Sequence, residues 1–227
     1  MTLKESDFPS IEAAASALAG ILACVAEDSI TEHGSAVLAV SGGRTPRIVF
    51  ESLREFKLPW TKVTVTLTDE RWVPSDHRGS NERLVRRHLL KGPAESAHFI
   101  SLYGGESNPA AGMAAFESRL AELNKPIDAV YLGMGADGHI ASLFPKTRGI
   151  ESKHSVCVAV EATSDRLARL SLSLDTIFAA RRIFLLYSGR EKHKAYMVAK
   201  ESDDLFDSPL QSLLNQRETP VSVLRAI

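Results

Sequence analysis

The residues able to do chemistry gather in four short stretches. The richest is residues 133–145, GMGADGHIASLFP, with three glycines, Asp137 and His139. A histidine can take a proton from water near neutral pH, and a carboxylate on its other ring nitrogen would orient it. Asp137 is close enough in sequence to be that carboxylate; sequence leaves open whether it reaches the ring or only holds the loop. His139 is therefore read as a general base. Residues 41–46, SGGRTP, follow an apolar run, and their backbone N–H groups suit an anion at a helix start. A tight turn that needs Gly42 and Gly43 for geometry alone explains them equally well, and Arg44 fits either reading. Residues 68–74, TDERWVP, place Asp69, Glu70 and Arg71 at a strand end. Side chains alternate along a strand, so Asp69 and Arg71 face one way and Glu70 the other. Arg71 can clamp a phosphate or carboxylate in two hydrogen bonds, although a surface ion cluster is the simpler account of three adjacent charges. Residues 188–194, SGREKHK, bring Lys192 to a helix start, where the dipole disfavours a cation unless an anion is near.

Elements that would position these stretches follow from the pattern. Residues 36–40 (AVLAV), 127–132 and 183–187 (IFLLY) read as buried strands and 62–67 (KVTVTL) as a strand rich in β-branched residues, and each runs directly into one of the four stretches. Helices are predicted from Ser10 to before Gly34, over 46–56, to Leu90 from a cap at Ser80 or Asn81, over 109–123, from Lys192 to Lys200 and over 209–214. Residues 97–102 carry a weak strand signal. Residues 156–160, 167–174 and 220–224 read as further strands, the middle pair with antiparallel character, and 201–208 as an acidic loop. Strands alternating with helices define an α/β class: one domain over residues 1–227, doubly wound, with a mostly parallel sheet and helices on both faces.

Composition excludes several roles. The chain has 227 residues with 28 acidic and 27 Lys or Arg, so no net field or basic run favours nucleic acid. The apolar segment 11–26 has helical spacing and poor signal-peptide flanks, which points to a packed helix, no membrane span and a cytoplasmic protein. Cys24 and Cys157 sit in apolar runs without CxxC spacing and read as buried thiols of a reducing compartment. His33, His77, His88, His98, His154 and His193 form no metal-ligand spacing, and GxSxG is absent.

SGGRTP, TDERWVP with the downstream Ser80-Asn81, GMGADGHIASLFP and Gly189 to Lys192 occur in one order over residues 36–200. Together they resemble the 6-phosphogluconolactonase group of the glucosamine-6-phosphate isomerase/6-phosphogluconolactonase family. The resemblance implies an isomerase–lactonase Rossmann-like fold and hydrolysis of 6-phospho-D-glucono-1,5-lactone in the oxidative pentose phosphate pathway. It implies no metal or organic cofactor, a phosphorylated sugar lactone as the only partner, and a monomer or small homo-oligomer. His139 would activate water. Gly42, Gly43, Arg71 and Lys192 would surround the phosphate, with Arg169 a further candidate, and Asp69 would shape the sugar end.

The deaminases of the same family carry FNEP after GHIA, with a glutamate partnering the histidine. Here the stretch is SLFP, so Phe144 stands where that acid would be, which favours hydrolysis over deamination. A non-catalytic sugar-phosphate sensor would be expected to carry an added DNA-binding segment, and only one helix precedes residue 36.

Overall fold

A computed structural model describes residues 3–123, 125–147, 155–202 and 208–227. Its main sheet has seven parallel strands. In spatial order they are β1 (Leu3–Asp7), β10 (Val221–Ala226), β9 (Ile183–Ser188), β6 (Ala129–Leu132), β2 (Ala36–Val40), β3 (Val63–Leu67) and β5 (His98–Ile100). β2 and β6 are buried at every position, which requires cover on both faces and accounts for their unbroken apolar sequence. α1 (Ile11–His33) packs on these central strands and on α2 (Arg44–Leu53); α6 (Arg190–Glu201) packs on β9 and on α7 (Pro209–Asn215).

Strand order reverses between β2 and β6. The chain runs from β2 to β3 on one side, then returns to place β6 and β9 on the other. Open parallel sheets form their binding crevice at the carboxyl ends of strands flanking such a point. The four chemistry-bearing stretches follow β9, β6, β2 and β3, which are consecutive in the sheet, so their convergence is a consequence of the winding.

A second, antiparallel sheet of β4 (Asp69–Arg71), β8 (Arg169–Leu172) and β7 (Cys157–Val160) stands beside this edge. The charged triplet is therefore not the end of the second parallel strand. The chain changes sheets at Thr68, whose N–H still donates to Val40 while its carbonyl already accepts from Leu172. The predicted strand over 167–174 also stops early. Ser173 caps α5 (Leu174–Phe178), a short helix hidden by the Ser–Leu alternation.

Two further differences have plain causes. β1 carries no apolar strand signal because it is a sheet edge held by charges: Glu5 and Asp7 bind Arg225, and Glu5 also accepts from Lys200 and Tyr196. Cys24 is exposed rather than buried, since it falls on the outer face of α1. Cys157 is buried, and burial, reinforced by the neighbouring Glu117, pushes its thiol up to about 12. α1 is long and apolar enough to cross a membrane, but its Ala14, Leu18, Leu22 and Val25 face lies in the core. Most of the predicted acidic loop over 201–208, and His154, lie outside the described residues.

Candidate active site

Two of the four stretches end in helix starts without caps. α1 and the helices α3 (Asn81–His88) and α4 (Pro109–Ala121) open on side-chain caps from Ser10, Ser80 and Asn108. α2 and α6 open instead on Gly43 and Gly189, neither with a side-chain cap. Both glycines have positive φ, 123° and 88°, which L side chains rarely adopt. The first N–H groups of these helices are left for an external acceptor, with the positive dipole end behind them. The Lys192 side chain from the first turn of α6 enters the same space. Burial and the nearby Arg44 lower its pKa below the ordinary lysine value.

The loop after β6 folds back on itself. Gly135 N–H donates to the His139 carbonyl at 2.9 Å, and Gly138 turns the chain at φ 83°. A Cβ on Gly135 would lie 2.2 Å from His139 Nδ1, so this glycine makes room for the ring. Asp137 Oδ1 lies 2.6 Å from His139 Nδ1 and also accepts the His139 backbone N–H. Burial works against ionisation of Asp137, but the His139 ring and its hydrogen bonds outweigh it and hold the carboxyl below its usual range. An ionised Asp137 accepts the Nδ1 proton, which leaves Nε2 as the basic nitrogen. Phe144 packs on the other side of the ring, centroid to centroid 4.7 Å, and is itself covered by the Arg166 guanidinium at 3.7 Å. The histidine thus has one carboxylate partner and, where a second acid could stand, an aromatic ring.

Asp69 is buried and tied down. Ser142 Oγ donates to its Oδ2, Thr68 Oγ1 to its Oδ1, and Arg169 Nη1 lies 3.7 Å away. Arg169 also donates to Ser142, so Asp69, Ser142 and Arg169 form one network joining β4, β8 and the histidine loop. Glu70 points away and accepts from Arg71 N–H, Ser80 Oγ, Asn81 N–H and Glu82 N–H, closing the start of α3. Arg71 and Arg169 are directly paired across the antiparallel strands. Like charges so placed repel. Arg71 donates through Nη1 to the Gly79 carbonyl, yet the Nε of both arginines is buried without a protein partner. Two cross-strand arginines with unused buried Nε donors can hold an anion between them.

Of the residues singled out by sequence, Gly42, Gly43, Asp69, Arg71, His139, Arg169 and Lys192 line one open cleft of about 380 Å³. Asp137 stands behind His139. Sequence alone assigned no site role to Asn81, Ser142 or Tyr131, which also line or brace the cleft. Asn81 donates to the Asp69 carbonyl and fills the space beside Gly42. The Tyr131 hydroxyl is buried without a partner in the wall of the cleft, and its burial pushes its pKa up. A hydroxyl-bearing aromatic in an otherwise aliphatic strand was the one signal that could have marked Tyr131. Among the described residues no three His, Cys, Asp or Glu side chains gather as a metal centre.

The Asn81 contact gives a direct test of Gly42. A Cβ there would lie 1.9 Å from Asn81 Oδ1. Gly42→Ala is expected to displace Asn81 and lower stability by about 1–3 kcal/mol, the usual cost of overpacking, read by thermal denaturation. An unchanged melting temperature would mean that Asn81 relaxes freely.

A family model described as glucosamine-6-phosphate isomerases/6-phosphogluconolactonase matches residues 9–221. The 6-phosphogluconolactonase of Rhizobium meliloti is 36% identical over 221 residues, 95% of each chain. That of Pseudomonas aeruginosa is 39% identical over 191 residues, 82% of this chain and 80% of its own. The crystal structure of a 6-phosphogluconolactonase from Shewanella baltica superposes with a TM-score of 0.95 at 37% identity, covering 100% of this chain and 98% of the other.

Proposed function

The chain belongs to the glucosamine-6-phosphate isomerase/6-phosphogluconolactonase family, and from that premise we propose how its cleft performs the lactonase reaction. The protein is an enzyme that hydrolyses 6-phospho-D-glucono-1,5-lactone to 6-phosphogluconate, as its relatives' names indicate. The substrate phosphate lies among the Gly42 and Gly43 backbone, Arg71 and Lys192, with Arg169 beside it. The single observation that carries this placement is the Arg71–Arg169 pair with its unused buried Nε donors.

With the phosphate held, the lactone carbonyl carbon reaches His139. Nε2 takes a proton from water while Nδ1 remains bonded to Asp137, and the hydroxide adds to C1. The tetrahedral adduct collapses with cleavage of the C1–ring oxygen bond. The ring oxygen takes the proton back from His139 and becomes the product's hydroxyl, and the new acid ionises. Asp137 keeps the imidazolium oriented and paired throughout. Phosphate binding away from C1 makes the attack nearly unimolecular. Asp69, held by Ser142 and Arg169, is a positioning group that fixes the wall of the sugar end. The Tyr131 hydroxyl is available to a substrate oxygen. The reaction is one of cytoplasmic sugar-phosphate metabolism.

Continuous titration of the acid released from enzymically generated lactone, corrected for spontaneous hydrolysis, tests the function. Ammonia release from glucosamine 6-phosphate without lactone turnover would assign deamination instead.

Lys192 supplies a pH signature. Only its charged form attracts phosphate, and its pKa is lowered by burial and by Arg44. Competitive inhibition by orthophosphate is therefore expected to weaken as pH rises, beginning below the ordinary lysine range. Lys192→Arg, which stays charged, should abolish that limb. A limb unchanged in Lys192→Arg would remove Lys192 from the anion site.

A further inference from the structure

A second groove opens from the rim of the active cleft and runs between α2 and α3. It has a volume of about 260 Å³ and shares Gly43, Arg44, Arg71 and Asn81 with the cleft. Beyond them its wall is formed by Arg78, Arg83, Arg87 and His88. Five arginines thus face it, and no acidic residue does.

Glu70 and Glu82 are engaged outside the groove, and Glu51 reaches it only through His88. Glu82 binds Arg86 and Ser101, Glu70 is consumed by the start of α3, and Glu51 holds Arg47 and His88. Among the described residues Arg44, Arg78, Arg83 and Arg87 make no ion pair. Arg83 and Arg87 are four apart on one helical face, where like charges repel, and Arg83 in the first turn opposes the dipole. The buried Arg71 Nε without a partner lies on the wall common to both spaces. Guanidinium forks match phosphate oxygens in geometry as well as charge. The lining has no Phe, Tyr or Trp on which a base could stack, and its one large apolar side chain is Leu84.

We propose that this groove is a second anion subsite for a small molecule carrying linked phosphate groups, such as a linear oligophosphate. Its terminal phosphate occupies the active cleft and the following ones lie along Arg78, Arg83 and Arg87, so it competes with the lactone. The position of the terminal phosphate rests on the function proposed above; the groove does not.

The test compares tripolyphosphate with orthophosphate as competitive inhibitors of the full chain at matched ionic strength. Tripolyphosphate is expected to have a Ki at least tenfold lower. Arg83→Ala/Arg87→Ala should erase that advantage while leaving kcat and the orthophosphate Ki within twofold, and Arg78→Ala should reduce it. Lys57→Ala/Lys62→Ala removes the same charge ahead of the amino end of β3, away from the carboxyl ends that form the cleft, and should leave the advantage intact. Equal Ki values in the wild type, an advantage that survives Arg83→Ala/Arg87→Ala, or one lost equally in the lysine control would overturn the subsite. Failure of orthophosphate alone to compete would instead overturn the placement of phosphate in the active cleft. Calorimetric titration of tripolyphosphate into wild type and Arg83→Ala/Arg87→Ala then judges the groove separately.

Discussion

His139→Ala is expected to lower kcat for lactone hydrolysis by roughly 10²–10⁴-fold, the usual worth of a positioned general base, with little change in KM. The imidazole is bonded to Asp137 at 2.6 Å through Nδ1, and its ring lines the cleft. Asp137 stands behind the ring and, held below its usual range, is a weak base. Asp69 is already committed to Ser142, Thr68 and Arg169, and Phe144 has no proton to exchange. The proposed phosphate contacts lie on other strand ends, so binding should persist. Steady-state rates corrected for spontaneous hydrolysis, with orthophosphate inhibition as a measure of the intact anion site, separate turnover from binding. Wild-type kcat in the variant would show that His139 is not the base.

Arg71→Ala should act in the opposite way, raising KM with a smaller change in kcat. A hydrogen bond to a charged group contributes about 1.5–3 kcal/mol, which corresponds to a loss of roughly 10–150-fold in phosphate-dependent affinity. Part of the loss is offset, because removing Arg71 relieves its repulsion with Arg169 across the strand pair. Part is structural, because the link to the Gly79 carbonyl disappears. The unphosphorylated lactone distinguishes these contributions. Its slow hydrolysis should be nearly the same in wild type and variant if Arg71 serves the phosphate. An equal defect toward both lactones would mean that Arg71 only braces the loop over residues 71–79.

Much of this arrangement was legible in the chain. The runs AVLAV, AVYL and IFLLY are apolar without alternation because their strands are covered on both faces, and that composition marks parallel strands from local sequence alone; KVTVTL alternates Val with Thr and is marked by its β-branched residues instead. The glycines after them, with His139, Asp137, Arg71 and Lys192, mark carboxyl-end loops able to bind an anion and move a proton. The family was legible for the same reason, since its motifs are these loops. β1 was invisible because it pairs with β10 and its charges meet Arg225 and Lys200, all some 200 residues away in sequence. The role of Asn81 was invisible because it depends on the space left by Gly42.

Sequence by itself determined the fold class and the family, and singled out His139 as the proposed base and the loops proposed to hold a phosphate, since each depends on residue types read over a few positions. Only the tertiary structure decided that Asp137 reaches the His139 ring, that Asp69 is held in a network with Ser142 and Arg169, and that Arg71 opposes Arg169. It alone joined the arginines of α3 to the cleft. The Asp137–His139 contact is set by the turn at Gly138, and the others are pairings between distant segments. Strand order and the change of sheet at Thr68 set their distances, and no local pattern of residues encodes them.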